Sequence, residues 1–214
     1  MAGSWGTLGV LSECAFKLLP VPEAQATLVS TPMDVPAAVA LMARALGTPF
    51  EVTGAARDEA GRVALRVEGF GQQVAYRTGA LRAALGGDWE DLGADASAAH
   101  WDRVRDVVAF AGQAGDVWRI SVKPSDAPGL VARVQGRVLL DWGGGLIWAL
   151  VAPGTDLRAA LGPFSGHATL IRADEATRAA IPVFHPDPAP VAALTQGLRA
   201  RFDPRGILNP GLMG

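Results

Sequence analysis

The chain has 214 residues, half of them apolar and 19% charged, with a formal net charge of −2 and one cysteine, Cys14. That length and apolar content suffice for one substantial core and exclude a disordered chain, while the near-neutral balance offers no basic field to nucleic acid. A lone thiol excludes an internal disulfide and any iron–sulfur or zinc site built from several thiolates, which leaves the cytoplasm as the default compartment.

Gly3, Gly6 and Gly9 recur at threefold spacing before a nearly continuous apolar run from Val10 to Leu19. The run predicts a strand over 8–18, buried on both faces and ended by Pro20 and Pro22. A short strand over 26–30 follows. Residues 36–46 read as a helix, with Val39, Met42, Ala43 and Leu46 on one stripe, Pro36 in the first turn and Gly47 at the end. Strands over 50–54 and 62–68 are joined by a hairpin at 58–61, and Val63, Leu65 and Val67 alternate with wetter positions. Residues 72–85 form a helix ended by Gly86 and Gly87, and the acidic stretch 88–91 reads as a solvated loop.

A second round begins after a helix over 99–111, whose Trp101, Val104, Val107, Val108 and Ala111 line one side. It continues with a strand over 117–122 and a helix over 125–134 capped by Ser125. Strands over 138–141 and 146–151 are joined through Trp142-Gly143-Gly144-Gly145. The longest apolar stretch, 146–153, is far short of the roughly 20 residues a membrane-spanning helix needs, and the N-terminus lacks the pattern of a signal peptide. A helix over 155–161, capped by Thr155 or Asp156, and a strand over 168–172 close the round. Residues 173–190 carry Pro182, Pro186, Pro188 and Pro190 and read as an irregular connector. Residues 191–202 form a last helix with Val191, Leu194, Leu198 and Phe202 on one face, before a tail dense in turn residues. Each round reads strand, helix, strand, strand, helix. The fold class is therefore α+β: a mostly antiparallel sheet with helices on one face, in ferredoxin-like strand–helix–strand units.

Five groups of residues are candidates for chemistry. The turn Gly3–Val10 lacks the spacing of a dinucleotide-binding loop and the lysine of a phosphate loop, and reads either as a turn before a strand or as backbone that approaches a ligand closely. The tail motif Asn209-Pro210-Gly211 is a turn after a helix, and Asp141-Trp142-Gly143-Gly144-Gly145 with Trp148 is a glycine-rich hairpin with aromatic core residues. His100, His167 and His185 are the acid–base candidates, with no metal-ligand spacing among them. Arg172, Arg201 and Arg205 are the candidate partners for a carboxylate or phosphate.

Gly6-Thr7-Leu8-Gly9-Val10-Leu11, followed by Glu13 and by Phe16-Lys17-Leu18-Leu19-Pro20, resembles the last strand of the FAD-binding domain in flavoproteins of the vanillyl-alcohol-oxidase type. The tail from Phe202 to Gly211 is similar to the C-terminal signature of FAD-linked oxidases, and 141–145 with 166–172 resembles the FAD-binding subunit of bacterial glycolate oxidase. The resemblance implies cofactor contacts at Gly6, Thr7, Gly9 and Val10 through the backbone, and at Asn209 from the returning tail. It implies a FAD-linked 2-hydroxy-acid oxidoreductase subunit that works beside a flavin-bearing catalytic sister subunit and an iron–sulfur subunit on a small hydroxy acid such as glycolate. Two alternatives stay open: a non-catalytic assembly module of that complex, and a FAD-linked oxidase of another alcohol or hydroxy acid. The His-rich, acidic motif that serves as base in catalytic members of the wider family has no counterpart here, so no residue is assigned to catalysis.

The implied organisation is a remnant of the FAD-binding domain at 1–22, an α+β cap domain of a two-domain flavoprotein at 23–172, and a connector, helix and flavin-directed tail at 173–214. A portion of that kind is expected to be inactive and without FAD on its own. Its orphan apolar strand is expected to be disordered, added to a sheet edge or paired with a second copy.

Overall fold

A computed structural model of the chain describes residues 3–210 and residue 212. Met1 and Ala2 of the expected remnant, and Gly211, Met213 and Gly214 of the expected tail, lie outside the described residues.

The first round runs β1 (Ala24–Ser30), α1 (Val35–Leu46), β2 (Val52–Arg57), β3 (Val63–Gly69), α2 (Gly71–Leu85) and β4 (Trp89–Leu92). Asp34 starts α1 by accepting a hydrogen bond from the Ala37 N–H at 2.8 Å, and Pro36 needs no donor partner in the first turn. The helix buries Ala38, Val39, Met42 and Ala45. Of the expected stripe, Ala43 and Leu46 face outward, so the buried face is rotated by about one residue. In β3, Val63, Leu65 and Val67 are buried as the alternation predicts.

Helix α3 (Ala94–Arg105) crosses to the second round, followed by a 3-10 turn over Val108–Phe110. Then come β5 (Asp116–Val122), α4 (Ala127–Val131), β6 (Gly136–Asp141), a 3-10 turn over Trp142–Gly144, β7 (Leu146–Val151), α5 (Leu157–Leu161) and β8 (Gly166–Arg172). Two helices complete the chain, α6 (Glu175–Ala180) and α7 (Ala189–Phe202).

All eight strands form one antiparallel sheet in the order β4-β1-β3-β2-β6-β7-β5-β8. Each half has the same internal order, fourth-first-third-second, and the halves lie back to back. The two rounds read in the sequence are thus two copies of one ferredoxin-like unit. They meet at β2 and β6 through a single ladder pair, Arg57 opposite Leu140.

The main core lies on one face of this sheet. Leu28, Leu65, Trp118, Ile120 and Ile147 point into it and pack against Met42, Leu81, Leu130, Leu157 and Leu161 from the helices. Each such buried side chain is worth about 1.5–3 kcal/mol relative to exposure. The opposite face carries a small cluster of Phe110, Val117 and Leu150. Helix α3 reaches that face: its Ser97 hydroxyl lies 2.7 Å from the Thr27 hydroxyl, which also accepts from the Trp101 indole N–H at 2.9 Å.

Several expectations need correction. No strand forms over 8–18. The segment pairs with neither edge of the sheet, and Val10, Phe16 and Leu18 are about four-fifths exposed. An apolar run becomes a buried strand only where something covers it, and nothing among the described residues does. The stretch 88–91 is not a loop but enters β4, which pairs with β1 and keeps its acidic side chains in water. The helix expected at 99–111 starts five residues earlier and stops at Arg105, because Val107 takes a left-handed conformation, φ 50°. Ser125 caps nothing. It sits in a 3-10 turn with its hydroxyl on Asp126. The connector contains α6, capped by Asp174 on the Thr177 N–H. Asp156, rather than Thr155, caps α5.

Candidate functional site

The two chain ends meet. Trp5 and Gly6 form a turn at φ 51° and 73°, and Thr7 is buried with its hydroxyl and its N–H both on the Ser4 carbonyl. Asn209, itself at φ 42°, donates from Nδ2 to the Trp5 carbonyl at 2.8 Å. A Cβ on Gly6 would stand 2.6 Å from that same Nδ2, so both the positive φ and the close approach call for glycine. Asp203 secures the tail by accepting from the Ile207 and Leu208 N–H groups, and these bonds hold its carboxyl below the usual range. Gly6, Thr7 and Asn209 are therefore neighbours. Gly9 and Val10 continue outward; among the described residues their N–H groups meet no acceptor, and Val10 is exposed. A backbone of this kind, with free donors beside a glycine turn, can meet an anionic or carbonyl oxygen.

Trp5 packs on Phe184 with ring centroids 5.2 Å apart, which joins this corner to a cleft of about 640 Å³ lined by His167, Phe184 and His185. His185 accepts from the Ala168 N–H through Nδ1 at 3.3 Å. Burial, then Arg158 and His167, lower its pKa and favour the neutral ring. His100 lies elsewhere, on α3 beside Arg62 and Arg103. Its Nε2 is buried without a hydrogen-bond partner among the described residues, and burial lowers its pKa. Arg172 is occupied by the carbonyls of Phe110, Gln113 and Gly115, whereas Arg201 and Arg205 stay exposed.

The Asp141–Gly145 motif sits at a different place, in a cleft of about 680 Å³ on the sheet face opposite the main core. Trp101 closes one side. Its six-membered ring lies against β2, where a Cβ on Gly54 would stand 2.7 Å from Cη2. Trp142 closes the other side and Trp148 forms part of the floor. Asp141 accepts from the Trp142 N–H at 2.7 Å and so fixes the turn. Burial raises the Asp141 carboxyl above its usual range, opposed in part by that bond and by Arg66. Trp142 is 57% exposed and held at φ 53°, a conformation that costs a bulky residue about 1–2 kcal/mol. Arg66 and Arg119 stand over the Trp101 and Trp142 rings at 4.9 Å and 5.2 Å. Sequence reasoning found Asp141, Trp142 and Trp148 but missed both arginines. Strand alternation marks them as outward-facing and no more, and the cleft that unites them depends on strand order.

Among the described residues, no group of three His, Cys, Asp or Glu side chains could hold a metal ion, and no helix is long and apolar enough to cross a membrane. No protein-family model matches the chain. The chain is 32% identical over 215 aligned positions to the glycolate oxidase subunit GlcE of Escherichia coli (strain K12), an alignment that takes in all of this chain and 55% of that relative. It thus spans about half the length of the relative it matches. The resemblance carried by the two chain ends and by 141–172 therefore extends along the whole chain, which is similar throughout to the glycolate oxidase subunit GlcE and of the size of its C-terminal portion.

Proposed function

We propose that the protein is a FAD-linked oxidoreductase subunit of a glycolate oxidase complex, with residues 23–172 as its cap domain and residues 1–22 and 173–214 as the parts that reach the flavin. The meeting of the two end motifs through Asn209 and Trp5 supports this reading most directly. Bound FAD would supply the chemistry, accepting the electron pair taken from a small 2-hydroxy acid such as glycolate. The chain's own residues would hold it. The N–H groups of Gly9 and Val10 offer donors to an anionic or carbonyl oxygen of the cofactor, Gly6 keeps the turn free of a side chain, and Thr7 locks it. Asn209 fastens the tail beside the same turn. Electrons would leave through a flavin-bearing sister subunit and an iron–sulfur subunit in the cytoplasm.

The test is flavin retained by the full-length protein after FAD addition and desalting, read by absorbance. Asn209→Ala and Gly6→Ala should each lower retained flavin several-fold while the fold persists by circular dichroism. Retention at the unsubstituted level in both variants would sink the proposed contacts, and a full-length protein that retains no flavin would favour an assembly role.

A further inference from the structure

We infer that the cleft between α3 and the Trp142 turn binds a planar aromatic or conjugated carboxylate, stacked against Trp142 and Trp148 with its charge at Arg119. The inference goes beyond the proposed flavin contacts, which lie at the chain ends, and stands or falls without them.

Charge bookkeeping in the cleft singles out Arg119. Arg105 is paired with Asp102 and Asp106, and Arg66 is held by Glu68 and by the Thr53 hydroxyl. Arg119 is half-buried on β5. Among the described residues it meets no carboxylate and no hydrogen-bond acceptor, only the face of Trp142. A guanidinium that faces the cleft without a carboxylate partner can take an anion that brings paired oxygens. Of the acidic groups that line the cleft, Asp102 is paired with Arg105 and Asp141 is committed to the Trp142 N–H.

Shape narrows the ligand further. A volume of about 680 Å³ falls among pockets for cofactor- or drug-sized molecules and is far more than a two-carbon hydroxy acid fills. Indole walls favour an aromatic or conjugated plane over an aliphatic chain, since offset stacking adds to simple burial. The strained backbone at Trp142 points the same way. The chain holds an exposed indole in an unfavourable conformation at the rim, and such outliers persist where the surroundings enforce them.

Calorimetric titration of this 214-residue chain with 2-naphthoate tests the inference, with 2-naphthalenemethanol as the neutral plane and glycolate as the small anion. Saturable binding of 2-naphthoate is expected, at least tenfold tighter than either comparison. Arg119→Gln should weaken it tenfold or more, Arg119→Lys less, and Trp142→Leu should weaken it with the thermal melt preserved. Four results would overturn the assignment: no saturable binding of 2-naphthoate, equal binding of the neutral compound, glycolate binding as tightly as 2-naphthoate, or an Arg119→Gln protein that melts normally and binds as before. Displacement of 2-naphthoate by riboflavin in a manner indifferent to Arg119 would also overturn it, by making the cleft a flavin surface.

Discussion

Asp141 shows how one side chain serves local geometry at an electrostatic cost. Its carboxylate caps the turn that holds Trp142, yet burial disfavours its charge. A carboxyl whose folded pKa is raised destabilises the fold when ionised, and that penalty is fully present above the folded pKa and gone below the unfolded value of about 3.9. Asn at this position keeps the acceptor and removes the charge. Asp141→Asn should therefore melt at a higher temperature than the unsubstituted chain at pH 7, with the difference vanishing below about pH 4; equal melting temperatures at pH 7 would show that Arg66 already offsets the burial. The comparison of Arg172 with Arg119 belongs at this scale too. Both are single arginines on strands, and the sequence singles out Arg172 as an anion partner but not Arg119. Only the structure separates the one spent on three carbonyls from the one facing a cleft.

At the scale of elements, the attachment of α3 rests on a polar knot. Thr27, Ser97 and Trp101 share two hydrogen bonds across β1 and α3, and Thr27 and Ser97 are buried. Thr27→Val keeps the shape but leaves the Ser97 hydroxyl and the Trp101 N–H without their partner, a loss of about 1–3 kcal/mol per buried unsatisfied group. Chemical denaturation should show a loss in that range, and Trp101 fluorescence should shift to the red as α3 loosens; an unshifted spectrum with full stability would mean that packing on Gly54 alone holds the helix. Legibility in the sequence follows from what each element packs against. The strands at 62–68 and 146–151 were readable because their apolar residues alternate or run continuously into one core. Strand β4 was hidden because an edge strand with one wet face looks like a charged loop, and α3 was misplaced because its inward residues include a serine. At 8–18 apolar composition does not amount to burial, because nothing among the described residues covers the run.

For the whole molecule, two apolar surfaces remain uncovered. One is the N-terminal segment with Val10, Phe16, Leu18 and Leu19; the other is the face of α7 with Leu194 at 71% exposure, Leu198 and Phe202. Contiguous apolar surface of this kind binds partners or hydrophobic dyes. The chain should bind the dye ANS in its folded state, and Leu194→Lys with Leu198→Lys should cut that binding substantially with little change in melting temperature, since neither leucine touches the core. A large drop in stability would show instead that α7 is part of the folding unit. The antiparallel α+β class was legible in the two rounds, but the order of the strands was not, nor the contact between the two chain ends, nor the cleft. Its walls come from Gly54, Arg66, Trp101, Arg119 and Trp142, residues far apart in sequence that the back-to-back halves bring together.

The lone ladder pair between those halves has a mechanical meaning. Within the sheet the halves share one rung, Arg57 against Leu140, while every other neighbouring pair of strands shares several. The cleft straddles that joint, with Gly54 and Arg66 on one side and Arg119 and Trp142 on the other. A ligand gripping both sides splints the joint, and by reciprocity a stiffened joint grips the ligand harder. Occupancy would then be legible as rigidity: amide hydrogen exchange at the β2–β6 junction should slow when the cleft is filled.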